Sequence, residues 1–101
     1  MKIELLYLAK CPHHQPALSR LKAVLRQEGL SVVISEIEIK GTSDAKAVKF
    51  FGSPTIRVNG IDIDVESRTF TEAGFACRRY PGGLPSEEMI RAALKEAQED
   101  E

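Results

Sequence analysis

The first third of the chain carries an apolar run followed by an amphipathic repeat. Residues 3–8 are apolar except for one Glu, which is typical of a strand that lies near the middle of a sheet with both faces covered. Pro12 and Pro16 fit only the opening turn of a helix, and behind them apolar side chains recur at helical spacing until Gly29. The repeat consists of Ala17, Leu18, Leu21, Val24 and Leu25. The pattern predicts a central strand and then an amphipathic helix.

A second strand and a short second helix are predicted next. Residues 31–39 are rich in Val and Ile and then alternate with Glu, which indicates a strand with one wet face at a sheet edge. A strand, a helix and a strand in this order form a right-handed parallel unit. Thr42 or Ser43 can cap a helix over 44–51 that ends at Gly52. Its inner face would carry Ala47, Val48 and Phe51.

The strongest local signal is a β-hairpin. Two alternating runs, 55–58 and 61–65, flank the pair Asn59-Gly60, which favours a two-residue turn. This turn fixes the register and leaves one apolar face and one face with an opposite-charge pair. The predicted cross-strand pairs are Val58 with Ile61, Arg57 with Asp62, and Ile56 with Ile63.

The chain ends in a predicted helix that follows a long irregular stretch. Residues 66–85 are expected to form an extended loop, and Ser86 is placed to cap a helix with Glu87 and Glu88 in its first turn. The buried stripe of this helix would be Met89, Ile90, Ala93, Leu94 and Ala97. Residues 99–101 form an acidic tail that is expected to fray. The complete order is βαβαββα.

Length and composition restrict the choices further. A chain of 101 residues with 43% hydrophobic content is the size of one domain. Together with the element order, this predicts a single α/β domain over residues 1–101, in which a mixed four-stranded sheet is flanked by helices. The net charge of -1 provides no overall field for nucleic acid or an anionic membrane. The longest apolar run is far shorter than the ~20 residues of a membrane span, and the charged start lacks a signal-peptide core. We therefore expect a cytoplasmic protein.

Candidate chemistry centres on Cys11, one of only two cysteines. A cysteine at a helix N-terminus meets unpaired backbone N–H groups and the positive end of the helix dipole, which favour the nucleophilic thiolate. His14, three residues on, can turn back towards the sulfur, whereas His13 is expected to face solvent. The alternative is that Cys11 is a small buried side chain beside two surface histidines.

Three segments, taken with the element order, carry a family resemblance. They are Cys11-Pro12-His13-His14, Gly52-Ser53-Pro54-Thr55 and Cys77-Arg78-Arg79-Tyr80. With these segments and this element order, nearly the whole chain resembles the thioredoxin and glutaredoxin superfamily. The resemblance is greatest to short bacterial thioredoxin-like proteins that begin with Cys-Pro-x-Cys. The sequence departs from that motif because His14 stands where the second cysteine would be. Cys11 therefore lacks the usual disulfide partner within the motif.

The resemblance implies a thioredoxin-like fold and a substrate site around Cys11. Pro54 would be the family's cis-proline, and the backbone of Ser53, before Thr55, would pair with an extended substrate segment beside Pro12. Because the third strand should run antiparallel to the first, the loop over 66–85 would overhang Cys11. Arg78 in that loop can bind a carboxylate or stabilise the thiolate, or it is simply solvated. Gly82-Gly83 faintly resembles the glutathione-binding Gly-Gly of glutaredoxins.

These observations lead to three functional hypotheses. The first is a thiol-disulfide oxidoreductase in which Cys11 attacks a disulfide-containing protein or small thiol substrate and is released by Cys77 or by glutathione as co-substrate. Cys77 can equally be a merely packed cysteine. The second is a soft-metal-binding protein using Cys11, His14 and Cys77, together with His13. The third is a thioredoxin-like binding module without turnover. In the first and third hypotheses no bound cofactor is expected.

Overall fold

The described helices and strands agree with the predicted order, with two short strands in addition. The computed structural model describes residues 1–41, 51–64, 74–77 and 84–99. Its elements are β1 Ile3–Tyr7, α1 His14–Gln27, β2 Ile34–Glu38, β3 Phe51–Ser53, β4 Thr55–Val58, β5 Ile61–Asp62, β6 Gly74–Cys77 and α2 Glu87–Glu99. Within these ranges neither helix has the length and apolar character needed to cross a membrane.

A mixed four-stranded sheet forms the centre of the fold. Its strand order is β2-β1-β4-β5, so β1 is internal and β2 lies at an edge, as the sequence predicts. β1 runs parallel to β2, with Ile3 opposite Ile34, and antiparallel to β4, with Ile3 opposite Val58. The carboxyl end of β1 therefore lies beside the start of β4. The candidate site is built at this end of the sheet.

The hairpin between β4 and β5 has the predicted turn and register. Asn59 and Gly60 adopt φ values of 54° and 80°, the left-handed pair that a two-residue primed turn requires. Arg57 lies opposite Asp62 and Val58 opposite Ile61. The predicted division into an apolar and a charged face is only partly correct, because Ile61 is 41% exposed and Asp62 is buried. Ile61 is exposed because β5 is the outermost strand, and Asp62 Oδ1 accepts the backbone N–H of Asp64 at 2.9 Å.

The main core lies between one face of the sheet and the two helices. The predicted stripe of α1 is buried, and Gly29, at a φ of 67°, follows the end of that helix. Four of the five residues predicted to line α2 are buried, while Met89 is only partly buried. A smaller cluster around Leu6 and Ile39 occupies the opposite face of the sheet. The fold is thus an α/β arrangement with a mixed sheet.

Three predictions for residues 44–101 need correction or lie beyond the described ranges. The helix predicted over 44–51 falls outside them except at Phe51, which begins β3 rather than ending a helix. The segment 66–85 is not irregular throughout, because Gly74–Cys77 is a strand that pairs in parallel with β3. Glu99 belongs to α2 instead of a frayed tail. Phe51 and Gly74 are strand residues because each supplies backbone pairing to the other segment.

Candidate functional site

Cys11 lies in a tight turn between β1 and α1. Its backbone N–H donates to the carbonyl of Leu8 at 3.0 Å, and its own carbonyl accepts the N–H of His14 at 3.4 Å. The helix begins at His14, with His13 as its N-cap, so Cys11 lies two residues before the N-cap, near the helix N-terminus where the sequence predicts it. Pro16 lies in the first turn, whereas Pro12 lies before the helix and is exposed.

The thiol of Cys11 is free and largely shielded. Cys11 is in no disulfide, and the residue is 9% exposed. This burial agrees with the alternative of a small packed side chain, which the sequence left open. A buried thiol reacts only where a substrate can reach it, so this burial limits the size of any reaction partner.

Ser53 joins the start of β4 to the end of β1. Extending the antiparallel register of β1 and β4 by two residues brings Leu8 opposite Ser53, and there the N–H of Leu8 donates to the hydroxyl of Ser53 at 3.0 Å. The next peptide bond, Ser53–Pro54, is cis, as the position of Pro54 predicts. The hydroxyl of Thr55 donates to the carbonyl of Gly52 at 2.6 Å. All three residues from Ser53 to Thr55 are buried, so their side chains serve the fold.

The short strand that contains Cys77 lies beside Ser53. In the parallel pair of β3 and β6, Phe51 is opposite Gly74 and Ser53 is opposite Cys77. The register shifts between the two pairs, at Gly52, whose φ of 122° favours glycine. The backbone edge of Ser53 that the family resemblance assigns to a substrate is therefore paired with a segment of the same chain. Arg78, Gly82 and Gly83 lie outside the described residues.

His14 is held by two residues that sequence reasoning missed. Its ring stacks on Tyr7, with centroids 3.7 Å apart and planes 5° from parallel. Its Nε2 lies 2.9 Å from Oε1 of Glu36, and the side chain of His14 is only 12% exposed against 40% for Glu36. The contacts of this ring are thus with β1 and β2, whereas the sequence predicted a ring turned towards the sulfur. Strand alternation places Glu36 and Glu38 on one face of β2, but only the observed register, with Tyr7 opposite Glu38, shows that Tyr7 shares that face.

The described residues do not form an evident metal centre. Among residues 1–41, 51–64, 74–77 and 84–99, no group of three or more His, Cys, Asp or Glu side chains could hold a metal ion. Nε2 of His14, one of the ligands in the metal hypothesis, already faces Glu36. Comparison with known proteins adds no assignment: no family model, curated protein or solved structure matches this chain.

Proposed function

We propose that the protein is a thioredoxin-like thiol-disulfide oxidoreductase in which Cys11 is the nucleophile and Cys77 the resolving thiol. The proposal is supported by the mixed sheet with β1 internal, by the turn that carries Cys11 at the end of β1, and by the cis-proline at the start of β4. The turn and the cis-proline lie at the same end of the sheet. They accompany the motifs on which the family resemblance depends.

The observation that carries the proposal is a continuous set of contacts, two between backbones and one through a side-chain hydroxyl, between the two cysteine segments. Cys77 is opposite Ser53 in the pair of β3 and β6, and the hydroxyl of Ser53 accepts the N–H of Leu8. The carbonyl of Leu8 in turn accepts the N–H of Cys11. A disulfide needs Cα atoms within ~7 Å, and these contacts bring the two segments to the same small region. On this proposal, a chain without a second motif cysteine still has a resolving thiol.

The proposed cycle exchanges one disulfide for another. The thiolate sulfur of Cys11 attacks one sulfur of a substrate disulfide, which forms a mixed disulfide and releases the other substrate sulfur as a thiol after it takes up a proton. The thiolate of Cys77 then attacks the sulfur of Cys11 and releases the second substrate thiol. The substrate gains two electrons and the protein ends with a Cys11–Cys77 disulfide. An external thiol such as glutathione reduces that bond and restores the first state.

Access to Cys11 determines which substrates fit the proposal. Because Cys11 is only 9% exposed and the edge of Ser53 is already paired with β6, an extended protein segment has no free backbone to join at that edge. A small disulfide needs less room. We therefore expect the protein to reduce hydroxyethyl disulfide faster than the disulfides of folded insulin, with dithiothreitol or glutathione as the reductant.

Mild oxidation followed by peptide mass spectrometry tests the resolving role directly. The reduced protein is treated with one equivalent of diamide, digested without reduction and searched for a peptide pair that joins Cys11 to Cys77. We expect this pair as the main product, and we expect Cys77→Ser to accumulate a mixed disulfide on Cys11 when it is mixed with a small aromatic disulfide. Cys11→Ser is the matched control and should form neither product. A parent protein without the crosslink would remove Cys77 from the cycle.

The same preparations separate the proposal from the other two hypotheses. A soft-metal protein would bind zinc or cuprous ion stoichiometrically in equilibrium dialysis and lose that binding in Cys11→Ser and His14→Ala alike. A binding module without turnover would give neither metal binding nor reduction of hydroxyethyl disulfide. Turnover that is lost in Cys11→Ser and reduced in Cys77→Ser is the result that the oxidoreductase requires.

A further inference from the structure

A groove runs along the outer edge of β2, between that strand and one flank of α1. We propose that a second copy of the chain docks at this edge, so that the two β2 strands pair in antiparallel across a twofold axis. The two four-stranded sheets then become one continuous sheet. The inference goes beyond the proposed function, because no step of the disulfide cycle requires it.

The groove has an apolar floor and a basic wall. Its volume is about 580 Å³, and it is lined by Leu18, Lys22, Leu25 and Arg26 of α1, by residues 30–34 and by Glu36. The two leucines are buried, whereas Lys22 and Arg26 are exposed. Within the described ranges neither of these two cations forms an ion pair. The groove therefore offers apolar contact and uncompensated positive charge to the surface that fills it.

The outer edge of β2 also offers backbone groups for pairing. Among the described strands β2 pairs only with β1, where the N–H of Ile39 donates to the carbonyl of Tyr7 at 2.8 Å. Because backbone groups alternate in direction along a strand, those of Ile34, Glu36 and Glu38 point away from β1. An edge of this kind is a template for another strand.

Opposite charges lie at the two ends of this edge. α1 begins at His14, which contacts Glu36 in the second half of β2, and it runs back towards the start of the strand. Lys22 and Arg26, in its second half, therefore lie beside the start of β2, whereas exposed Glu38 lies at the end. An antiparallel copy brings its acidic end to this basic end, and the twofold axis repeats that contact. A parallel copy would bring like charges together.

The acidic side chains also select a register. Full overlap of two antiparallel β2 strands would set Glu36 directly opposite Glu36 of the second copy, which is destabilising. A two-residue shift is the smallest that keeps the outward backbone groups paired, and it places Ser35 on the twofold axis. Val33, which is 86% exposed, then lies opposite Ile37 of the second copy. Glu38 of that copy reaches the basic end of the groove.

Sedimentation equilibrium of the full chain tests the association. Excess reductant is present, so that no disulfide joins two copies. We expect a dissociation constant on the order of 10 μM, as for a small interface, and a monomer at the ~1 μM used for stability measurements. Arg26→Glu and Glu38→Arg should each weaken association about tenfold or more, because each creates a like-charge contact twice. Lys95→Glu makes the same charge change on the exposed side of α2 and should associate like the parent.

An equimolar mixture of the Arg26→Glu and Glu38→Arg variants separates a charge contact from damage to the fold. In a heterodimer of the two, both symmetry-related contacts again join one acidic and one basic side chain. The mixture should therefore associate with nearly the parent affinity, although neither variant does so alone. A mixture that stays monomeric overturns the inference, and so does a parent dimer that neither variant weakens.

Hydrogen exchange shows whether the edge of β2 is the interface. The N–H groups of Glu36 and Glu38 should be protected at about 100 μM protein and exchange rapidly after dilution to ~1 μM, whereas that of Ile37 should be protected at both concentrations. A parent that is monomeric at about 100 μM overturns the inference. Rapid exchange would then leave the edge to another protein, and protection at every concentration would assign it to a segment of the same chain. Cys11→Ser should dimerise like the parent, so this test and that of the disulfide cycle can fail separately.

Discussion

The backbone N–H of Leu8 donates to the hydroxyl of Ser53 at 3.0 Å, although the two residues are 45 positions apart in the chain. The hydroxyl of Ser53 replaces a backbone carbonyl as the acceptor for Leu8, at the point where the hydrogen-bonded pairing of β1 with β4 ends. Leu8 also accepts the N–H of Cys11, and Ser53 also pairs with Cys77. This hydrogen bond therefore couples the stability of the fold to the geometry of the candidate site.

Removal of the hydroxyl of Ser53 should destabilise the protein. Ser53 is 0% exposed, so Ser53→Ala leaves the N–H of Leu8 without its partner in a partly buried position. We expect a loss of about 1 to 3 kcal/mol in the free energy of unfolding, measured by urea titration. Ser35→Ala is the control, because Ser35 is an exposed strand residue on β2, and it should change stability by less than about 0.5 kcal/mol. Equal effects of the two variants would contradict the role given to the Ser53 hydroxyl.

The turn of the hairpin gives a second prediction that isolates backbone conformation. A methyl group added at Gly60 or at Gly41 would meet no atom within 4 Å, but Gly60 has a φ of 80° whereas Gly41 lies outside the left-handed region. Gly60→Ala should lose about 1 to 2 kcal/mol of unfolding free energy. Gly41→Ala should be neutral or slightly stabilising, since it only restricts the unfolded chain. A Gly60→Ala variant as stable as Gly41→Ala would show that the turn relaxes without cost.

These two cases also indicate how far sequence reasoning reaches. The hairpin was predictable because its turn depends on two adjacent residues, Asn59 and Gly60, and its register follows from them. The helices were predictable for the same reason, since their periodicity and the cap at Ser86 are local. The pairing of β3 with β6 was not, because each strand is very short and its partner lies more than twenty residues away. Phe51 also fits the apolar spacing of a helix as well as it fits a strand.

The candidate site divides in the same way. Cys11, Ser53 and Pro54 could be singled out from the family resemblance and from the rarity of proline inside a sheet, and the cis bond at Pro54 agrees with that prediction. The partners of His14 could not be identified, because Glu36 is 22 residues away and the alternation of β2 indicates only a polar face. A polar face at a sheet edge normally meets solvent. Here it meets the first residue of α1, which no local pattern encodes.

The core supplies a third prediction, with a surface control of similar chemistry. Leu21 is 0% exposed within the cluster between α1, α2 and the sheet, so Leu21→Ala leaves a cavity. We expect a loss of about 2 to 5 kcal/mol in unfolding free energy, a large part of the stability of a small domain. Val33 is 86% exposed, and Val33→Ala should change stability by less than about 0.5 kcal/mol. A Leu21→Ala variant that unfolds at nearly the parent urea concentration would contradict the packing described for α1.

The N-terminus of α2 gives the last prediction. The hydroxyl of Ser86 accepts the N–H of Met89 at 3.1 Å, which satisfies one of the unpaired donors of the first turn. Ser86→Ala should therefore lose about 1 kcal/mol of unfolding free energy, whereas Ser86→Asp should retain the cap and add a charge favourable to the helix dipole. Urea titration of both variants measures this difference, and circular dichroism reports whether helix content falls. A Ser86→Asp variant no more stable than Ser86→Ala would contradict this role of the hydrogen bond to Met89 in setting where the helix begins. Charge repulsion from the neighbouring Glu87 and Glu88 would then outweigh the cap.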